Sequence, residues 1–160
     1  VIFGNSNGMM EFCSQLKKDM LNLPFPAPLF FDGILPFNAG KFSMSPIHVS
    51  DVAKCFVDAL SKDKSNFQTY ELGGNKNYTW KEIISIISQA YDKNKWSVPA
   101  PVLPIKLIAL ILDQFTWFPI SRDQLTMLME GNTCNSKKAY EDFNLEPKTF
   151  SKENLTYLEK

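Results

Sequence analysis

The first four residues of the chain constrain its fold more than any other segment. Val1, Ile2 and Phe3 form an apolar run that ends at Gly4, and neither an initiator Met nor a charged leader stands before them. A short, continuous apolar run bounded by glycine is typical of a strand that is buried on both faces, as in a parallel sheet. We therefore expect a strand from the interior of a larger α/β sheet, and we expect further sequence upstream of Val1.

The bulk composition favours an ordinary globular domain. The 160 residues are 44% hydrophobic, which is enough for one domain, residues 1–160, with a substantial core. Seventeen basic residues balance seventeen acidic ones, so no net field would attract a phosphate backbone or anionic lipid headgroups. We therefore expect no nucleic-acid partner.

The cysteines argue against a disulfide-rich or zinc-binding protein, and the longest apolar run argues against a membrane-spanning helix. Cys13, Cys55 and Cys134 lie far apart and include no CxxC pair, which favours neither a disulfide framework nor a zinc site. A reducing compartment, the cytoplasm, fits this pattern best. The run at residues 103–112 contains Lys106 and is about half of the roughly 20 residues that span a bilayer, so it predicts a buried or interfacial helix.

Turn residues and hydrophobic periodicity predict an α/β first half and a helical second half. Thr79 and Glu82 form a capping box ahead of an isoleucine-rich stripe, which indicates a helix. Ser50 stands at the N-cap position of another helix, and a second capping box begins at Ser121. The predicted strands are 1–4, 42–48, 67–72 and 96–98; the predicted helices begin near Met9, cover 50–61, follow Thr79, cover 105–115, follow Ser121, and cover 136–143 and 151–158.

Three segments, in this order and at this spacing, resemble the C-terminal half of NAD(P)-dependent epimerase/dehydratase-like proteins, which are extended and atypical short-chain dehydrogenases/reductases. The segments are residues 46–53 (PIHVSDVA), residues 70–74 (YELGG) with 78–82 (YTWKE), and residues 120–124 (ISRDQ). The last segment and residues 98–101 are most similar to the branch that includes the NAD(P)H-binding accessory subunit of respiratory complex I.

The resemblance implies an α/β fold: the C-terminal fragment of a Rossmann-like protein, with a few sheet strands and a mostly helical substrate lobe. Val1, Ile2 and Phe3 resemble the strand that passes beside the nicotinamide, so they are the expected cofactor contacts of this chain. Residues 70–74 resemble the last parallel strand of that sheet, and the two glycines would permit a sharp exit. NAD or NADP is the expected cofactor of the full-length parent.

The nucleotide-binding and catalytic motifs of the family are absent from this chain. No GxxGxxG or GxGxxG run is present to bring backbone N–H groups to a pyrophosphate, and the loop between Gly4 and Gly8 is better explained as an exit from the strand. The YxxxK of the family lies upstream; Tyr91 and Lys95 match it formally, but at the end of a different helix. The resemblance therefore implies an N-terminal dinucleotide-binding part outside this chain, no catalytic residue within it, and no tight cofactor binding by the fragment alone.

His48 is the only histidine, and Asp51 follows it by three residues. This pair is similar to part of a catalytic triad, but no GxSxG elbow or positioned cysteine accompanies it, so a hydrogen-bonding structural role is favoured. No cluster of histidine, cysteine and carboxylates has the spacing of metal ligands. We therefore predict neither a nucleophile nor a metal site.

The expected substrate cleft lies where the first strand and the strand before His48 end. Its predicted lining residues are Asn5, Asn7, Met10, Phe12 and His48, with Phe3 beside them. A structural alternative stays open for the residues near the first strand. Met10 and Phe12 could be core residues of a helix, and the two asparagines could be turn formers.

Met44 bears on the class of substrate. Sugar-nucleotide epimerases of the family carry an arginine four residues before the equivalent of His48, where its guanidinium pairs with the diphosphate. In this chain that position is Met44. The departure favours a substrate less charged than a sugar nucleotide, or no substrate.

The sequence leaves three hypotheses for function. In the first, the chain is the substrate-binding C-terminal portion of an NAD(P)-dependent epimerase, dehydratase or reductase, and it holds a small molecule while an upstream Tyr and Lys perform acid/base chemistry. In the second, it is part of a non-catalytic NAD(P)H-binding assembly or quinone-associated factor resembling the complex I accessory subunit, and region 103–118 docks on a protein or membrane surface. The third is an independent small α/β module. The first two imply a missing N-terminal half as partner, and an open sheet edge that could pair fragments into a dimer.

Overall fold

The computed structural model describes residues 1–112 and 122–159. The strands of this part are β1 Ile2–Phe3, β2 Ala27–Phe31, β3 Ser43–Met44, β4 Ile47–His48, β5 Tyr78–Thr79 and β6 Ser97–Pro101. Its α-helices are α1 Phe12–Leu16, α2 Val49–Ser61, α3 Trp80–Ala90, α4 Val102–Leu112, α5 Arg122–Glu130 and α6 Lys137–Phe143. A π-helix at Lys17–Leu21 continues α1, and 3-10 helices cover Pro36–Asn38, Asp63–Ser65 and Lys152–Glu159. The predicted architecture, a few strands with a larger helical part, is confirmed.

The described strands form three two-stranded sheets. β1 pairs with β4 in parallel, and β2 pairs with β6 in parallel over five residues. β3 and β5 are antiparallel. Prolines occur in both β2 and β6, and each lacks a backbone donor, so these strands suit the edges of sheets better than a central position. Because β1 pairs in parallel with β4, the first segment of the chain is a parallel strand, as its apolar run predicts.

Helix α3 forms where the capping box predicts it. The Thr79 hydroxyl accepts a hydrogen bond from the Glu82 backbone N–H at 3.3 Å, and the Glu82 carboxylate accepts one from the Thr79 N–H at 2.8 Å. These two bonds satisfy donors that a helix start otherwise leaves free. Behind the cap, Ile83, Ile84 and Ile87 are buried in the same hydrophobic cluster as Leu155 and Leu158 of the 3-10 helix Lys152–Glu159. Local chemistry and packing thus favour the same helix.

Two hydrophobic clusters stabilise the described part of the chain. The larger one surrounds Trp80, which is 1% exposed and donates its indole N–H to the Pro28 carbonyl at 2.9 Å. The smaller one joins Cys55 of α2 to Phe143 of α6. Tyr70 packs on this second cluster, with its ring centroid 4.8 Å from that of Phe143.

Two predicted strands are wrong. Residues 42–48 do not form one strand: β3 and β4 pair with different partners, and between them Ser45 donates its N–H to the Asn132 carbonyl while Pro46 has no N–H to donate. Residues 67–72 form no strand. None of residues 70–74, which resemble the last parallel strand of the family's sheet, lies in a strand. Phe67 has a φ of 58°, a left-handed backbone that does not fit a ladder.

Several helix bounds differ from the prediction. Helix α2 begins at Val49, and its N-cap is His48 rather than Ser50. Helix α1 begins at Phe12 rather than near Met9 because the Glu11 carboxylate caps it, accepting the Cys13 N–H at 2.8 Å. Helix α4 begins at Val102, three residues before the predicted start at residue 105.

The remaining predicted helices agree or fall partly outside the described residues. Helix α6 matches the predicted span 136–143 closely, while the last segment is a 3-10 helix rather than an α-helix. Residues 113–115 of the helix predicted for 105–115, and Ser121 of the second capping box, lie outside the described residues. Within residues 1–112 and 122–159, none of the helices combines the length and apolar character that crossing a bilayer requires.

Candidate functional site

The parallel pairing of β1 with β4 brings Phe3 and His48 together at the ends of the two strands. Phe3 is fully buried, and its ring meets the His48 ring edge to face, with 5.1 Å between centroids. Phe150 contacts Phe3 on another side, also edge to face, at 5.0 Å. This corner is the meeting point of the predicted cofactor strand and the predicted substrate histidine.

Gly4 allows the corner to close. Its φ is 134°, a conformation that side chains rarely adopt, and a Cβ at this position would lie 2.7 Å from Cγ1 of Val49 and 3.1 Å from Nε2 of His48. The Gly4 backbone N–H donates to the hydroxyl of Tyr157 at 3.1 Å. The chain therefore leaves β1 directly against the start of α2.

A hydrogen bond to Nδ1 orients the ring of His48. The Ser50 backbone N–H donates to Nδ1 at 3.1 Å, so the neutral ring carries its proton on Nε2. Burial lowers the pKa of His48, and the positive charge of Lys148 lowers it further, while Asp51 opposes both. The ring is thus neutral at pH 7, with Nε2 next to Gly4.

Asp51 has a structural partner of its own. It is buried, and its Oδ2 accepts the backbone N–H of Lys148 at 2.7 Å. This bond ties the start of α2 to the segment before Phe150. The arrangement agrees with a structural role for the His48 and Asp51 pair rather than with a triad.

Cys13 is buried in the same hydrophobic cluster as Phe3 of the corner. Burial raises the pKa of the Cys13 thiol well above its usual value, and the charge of Glu11 adds to the effect. The pKa of Tyr157 is also raised, mainly by burial and then by Cys13 and Glu11. Both side chains therefore stay protonated and stabilise the packing of α1 against β1.

The structure places the other predicted site residues at different depths. Asn5 and Asn7 are exposed in the loop after β1, where the Asn5 side chain accepts the Asn7 N–H at 3.0 Å and Asn7 has a φ of 52°. Met10 is 57% exposed on the same loop. Among the predicted cofactor contacts, Ile2 is 50% exposed, in contrast to buried Phe3. The asparagines thus form a turn, and their substrate contacts stay a prediction.

Phe12, the last predicted lining residue, belongs to an apolar pocket that our sequence reasoning did not identify. The pocket measures about 370 Å³ and lies between α1, the π-helix that follows it, β2 and α5. Its floor consists of Phe30 and Trp80, which are 3% and 1% exposed. The spacing of Phe12, Leu16 and Met20 along one helical face was the available sequence signal.

A second cavity, of about 520 Å³, has a different character. Lysines 81, 93, 95 and 152 line it together with serine and amide side chains. Lys93 and Lys95 already donate to Asn22 and to the Leu23 carbonyl. In residues 1–112 and 122–159 no group of three or more metal-binding side chains is present.

Comparison with known proteins identifies relatives much longer than this chain. No protein-family model matches. The NADH-ubiquinone oxidoreductase 40 kDa subunit of Neurospora crassa mitochondria is 29% identical over 146 residues, which cover 82% of this chain and 38% of that protein. The UDP-glucose 4-epimerase structure from Thermotoga maritima has a TM-score of 0.60 at 15% identity, and covers 97% of this chain and 41% of its own. The UDP-glucuronic acid 4-epimerase of Bacillus cereus, solved with NAD, has a TM-score of 0.59 at 15% identity, covering 97% and 39%.

The predicted resemblance to the C-terminal part of NAD(P)-dependent epimerase/dehydratase-like proteins is confirmed. The chain therefore has a Rossmann-like epimerase fold in part, and it spans about two fifths of the length of the relatives it matches. At 15% identity the likeness to the epimerases shows the fold and leaves the substrate open.

Proposed function

We propose that this chain is the substrate-side portion of an NAD(P)-binding epimerase- or reductase-like protein, and that the dinucleotide-binding part lies on polypeptide upstream of Val1. The main support is the comparison in which 97% of this chain matches only 41% of an epimerase. In this proposal, an upstream tyrosine and lysine perform the acid/base chemistry beside the nicotinamide. The β1 and β4 corner holds the substrate.

The exposed apolar surface around β1 and α2 supports a missing half. Ile2 of β1 is 50% exposed, and Phe56, Val57 and Leu60 of α2 are 69%, 64% and 91% exposed. Phe56 and Leu60 are four residues apart on one helix, so they lie on the same face, and an exposed apolar face is typical of an interface. We propose that the upstream polypeptide covers it.

The position of Met44 supports a substrate of low charge. Met44 is 3% exposed and belongs to the large hydrophobic cluster, with Tyr78 as its strand partner. A buried thioether offers nothing to the diphosphate that an arginine would pair with. The proposal therefore excludes sugar nucleotides as the preferred substrate.

Isothermal titration with NADH and with NADPH tests the proposed division of labour. We expect the full-length parent to bind one of the two cofactors and the 160-residue chain to give no measurable heat. Tight binding of either cofactor by the chain alone would contradict the proposal, because the phosphate-binding glycines would then not be needed.

A second candidate function is a non-catalytic assembly factor, and the Neurospora crassa subunit favours it. At 29% identity that subunit is more similar in sequence than the two epimerases at 15%. The proposed docking region, 103–118, begins with Leu103 and Leu107, which are 69% and 57% exposed; residues 113–118 lie outside the described residues.

The upstream sequence separates the two functions at little cost. A glycine fingerprint followed by an intact YxxxK favours an enzyme, and the fingerprint without the Tyr and Lys favours assembly. Steady-state oxidation of NADH by the full-length protein gives the matching measurement. Turnover sustained by the full-length protein would exclude the assembly role as the primary one.

A further inference from the structure

The apolar pocket beside α1 is a built cavity rather than a shallow surface. Its volume of about 370 Å³ falls within the range of small-molecule sites. Phe30 and Trp80 close its floor, while Leu16 and Met20 form a helical wall. Leu128 of α5 completes the opposite side.

The described interior offers hydrocarbon contacts and little else. The Trp80 indole N–H is already bonded to the Pro28 carbonyl at 2.9 Å. Pro26 and Pro28 have no backbone N–H to donate. A polar group entering this space would lose its water without gaining a partner, which costs free energy. The part of a ligand that enters must therefore be apolar.

Among the described residues that line the pocket, Gln15 and Asp19 have polar side chains that are not bonded to the backbone of a neighbouring strand. The Asp19 carboxylate repels an anionic headgroup and can accept a hydrogen bond from a hydroxyl. Lys17, on the same helical segment, is not among the described lining residues; its ammonium lies over the Tyr91 ring at 4.1 Å and donates to the Leu158 carbonyl. Among the described lining residues Asp19 is the one that carries a charge, so the lining disfavours fatty-acid carboxylates and phosphates.

Prolines occur along the rim of the pocket. Pro24 and Pro26 flank Phe25, whose ring is 68% exposed, and Leu23 beside it is 41% exposed. Proline restricts its own backbone and that of the preceding residue, so this segment is disfavoured from collapsing into the pocket. An exposed apolar rim is suited to receive a hydrocarbon chain.

From these observations we infer that the pocket binds the hydrocarbon chain of a small molecule with an uncharged, hydroxyl-bearing headgroup, which lies near Gln15 and Asp19. Neither Phe3 nor His48 of the β1 and β4 corner is among the described lining residues, so this inference goes beyond the proposed function and does not depend on it. Phe12 is the residue that the pocket shares with the predicted substrate cleft.

Titration of the 160-residue chain with 1-decanol and with decanoate tests the inference without any nucleotide. We expect saturable binding of one 1-decanol, and binding of decanoate weaker by about tenfold or more because of Asp19. Equal affinity for the two probes, or no binding of 1-decanol, would overturn the inference. The NADH and NADPH titrations are separate, so a failure of the proposed function leaves this result standing.

Two variants make the test specific to the pocket. Asp19→Asn should raise the affinity for decanoate by about fivefold or more and leave that for 1-decanol nearly unchanged. Leu16→Trp fills the cavity and should weaken 1-decanol binding by about tenfold or more, while Leu60→Trp on α2 is the matched control and should not. Circular dichroism confirms that each variant is folded. Binding of 1-decanol that is unchanged in folded Leu16→Trp, or weakened equally in Leu60→Trp, would place the ligand elsewhere.

Discussion

Helices α2 and α3 are similar in length, 13 and 11 residues, and both are amphipathic, yet only α3 buries its large apolar residues. In α3, Ile83 is 0% exposed and Ile87 is 1% exposed. In α2, Phe56 is 69% exposed and Leu60 is 91% exposed. The partner of α3 lies within the described residues, whereas the partner of the outer face of α2 is the one that we propose upstream. An amphipathic pattern thus demands a partner without saying where in the polypeptide it lies.

Truncation of a core residue in α3 gives the largest effect expected. Ile87→Ala should lower the free energy of unfolding of the chain by about 2–5 kcal/mol, because it leaves a cavity in the large cluster. Leu60→Ala in α2 removes a similar volume from an exposed site. It should change the free energy of unfolding by less than about 0.5 kcal/mol. Urea denaturation of both variants measures the difference. Equal losses would show that the outer face of α2 is packed in solution.

The same α2 substitution in the full-length parent sharpens the contrast. If upstream polypeptide covers α2, Leu60→Ala should now cost about 2 kcal/mol or more, as for a buried leucine. Phe37, which is 77% exposed and belongs to the 3-10 helix Pro36–Asn38 rather than to α2, supplies the control variant Phe37→Ala. A loss in the parent no greater than in the 160-residue chain would argue against the proposed missing half as the partner of this face.

The N-caps of the two helices differ as well. Thr79→Ala removes a hydroxyl that accepts a backbone N–H at the start of α3, and should cost about 1 kcal/mol of unfolding free energy. Ser85→Ala, on the exposed face of the same helix, should stay within about 0.5 kcal/mol. Thermal and urea unfolding provide the comparison. Equal losses of unfolding free energy in the two variants would mean that the hydrogen bond to the Thr79 hydroxyl does not stabilise the chain.

The N-cap side chain of α2, His48, is titratable, whereas the N-cap side chain of α3, the Thr79 hydroxyl, is not. The pKa of His48 is lowered from 6.5 in the folded chain, chiefly by burial, so the unfolded chain binds more protons just below that pH. The contribution of His48 is therefore fully present above about pH 6.5 and is lost as the pH falls through the folded pKa.

His48→Asn isolates this small effect, since asparagine also caps helices but does not titrate in this range. Unfolding free energies measured between pH 5 and pH 8, roughly the range in which histidine changes charge, should fall more steeply toward acid for the natural chain than for the variant. Parallel curves would show that burial does not disfavour the charged ring.

Local chemistry explains which elements were predictable. The Thr79 and Glu82 box acts within four residues, and α3 starts where it predicts. Residues 1–4 carry enough apolar character to predict a parallel strand, and β1 pairs with β4. Phe67 shows the limit: the sequence of residues 67–72 predicts a strand, but the backbone of Phe67 is left-handed and its side chain is exposed. Strand formation needs a neighbouring strand, which a local pattern does not specify.

The candidate site divides in the same way. The sequence placed His48 at the end of a strand, but the nitrogen that accepts the Ser50 N–H depends on the turn into α2. The apolar pocket was not predicted because Phe12, Phe30 and Trp80 belong to separate elements. Only their packing creates a cavity.

By itself, the sequence determined the α/β class, the capped helix α3, the resemblance to epimerase/dehydratase-like proteins and the lack of a nucleotide fingerprint, because each depends on residue types at short spacing. The tertiary structure decided which apolar faces are covered, how β1 and β4 bring Phe3 to His48, and where a pocket remains open. Those outcomes depend on contacts between residues far apart in the chain, and a local pattern carries no information about which distant surface will meet it.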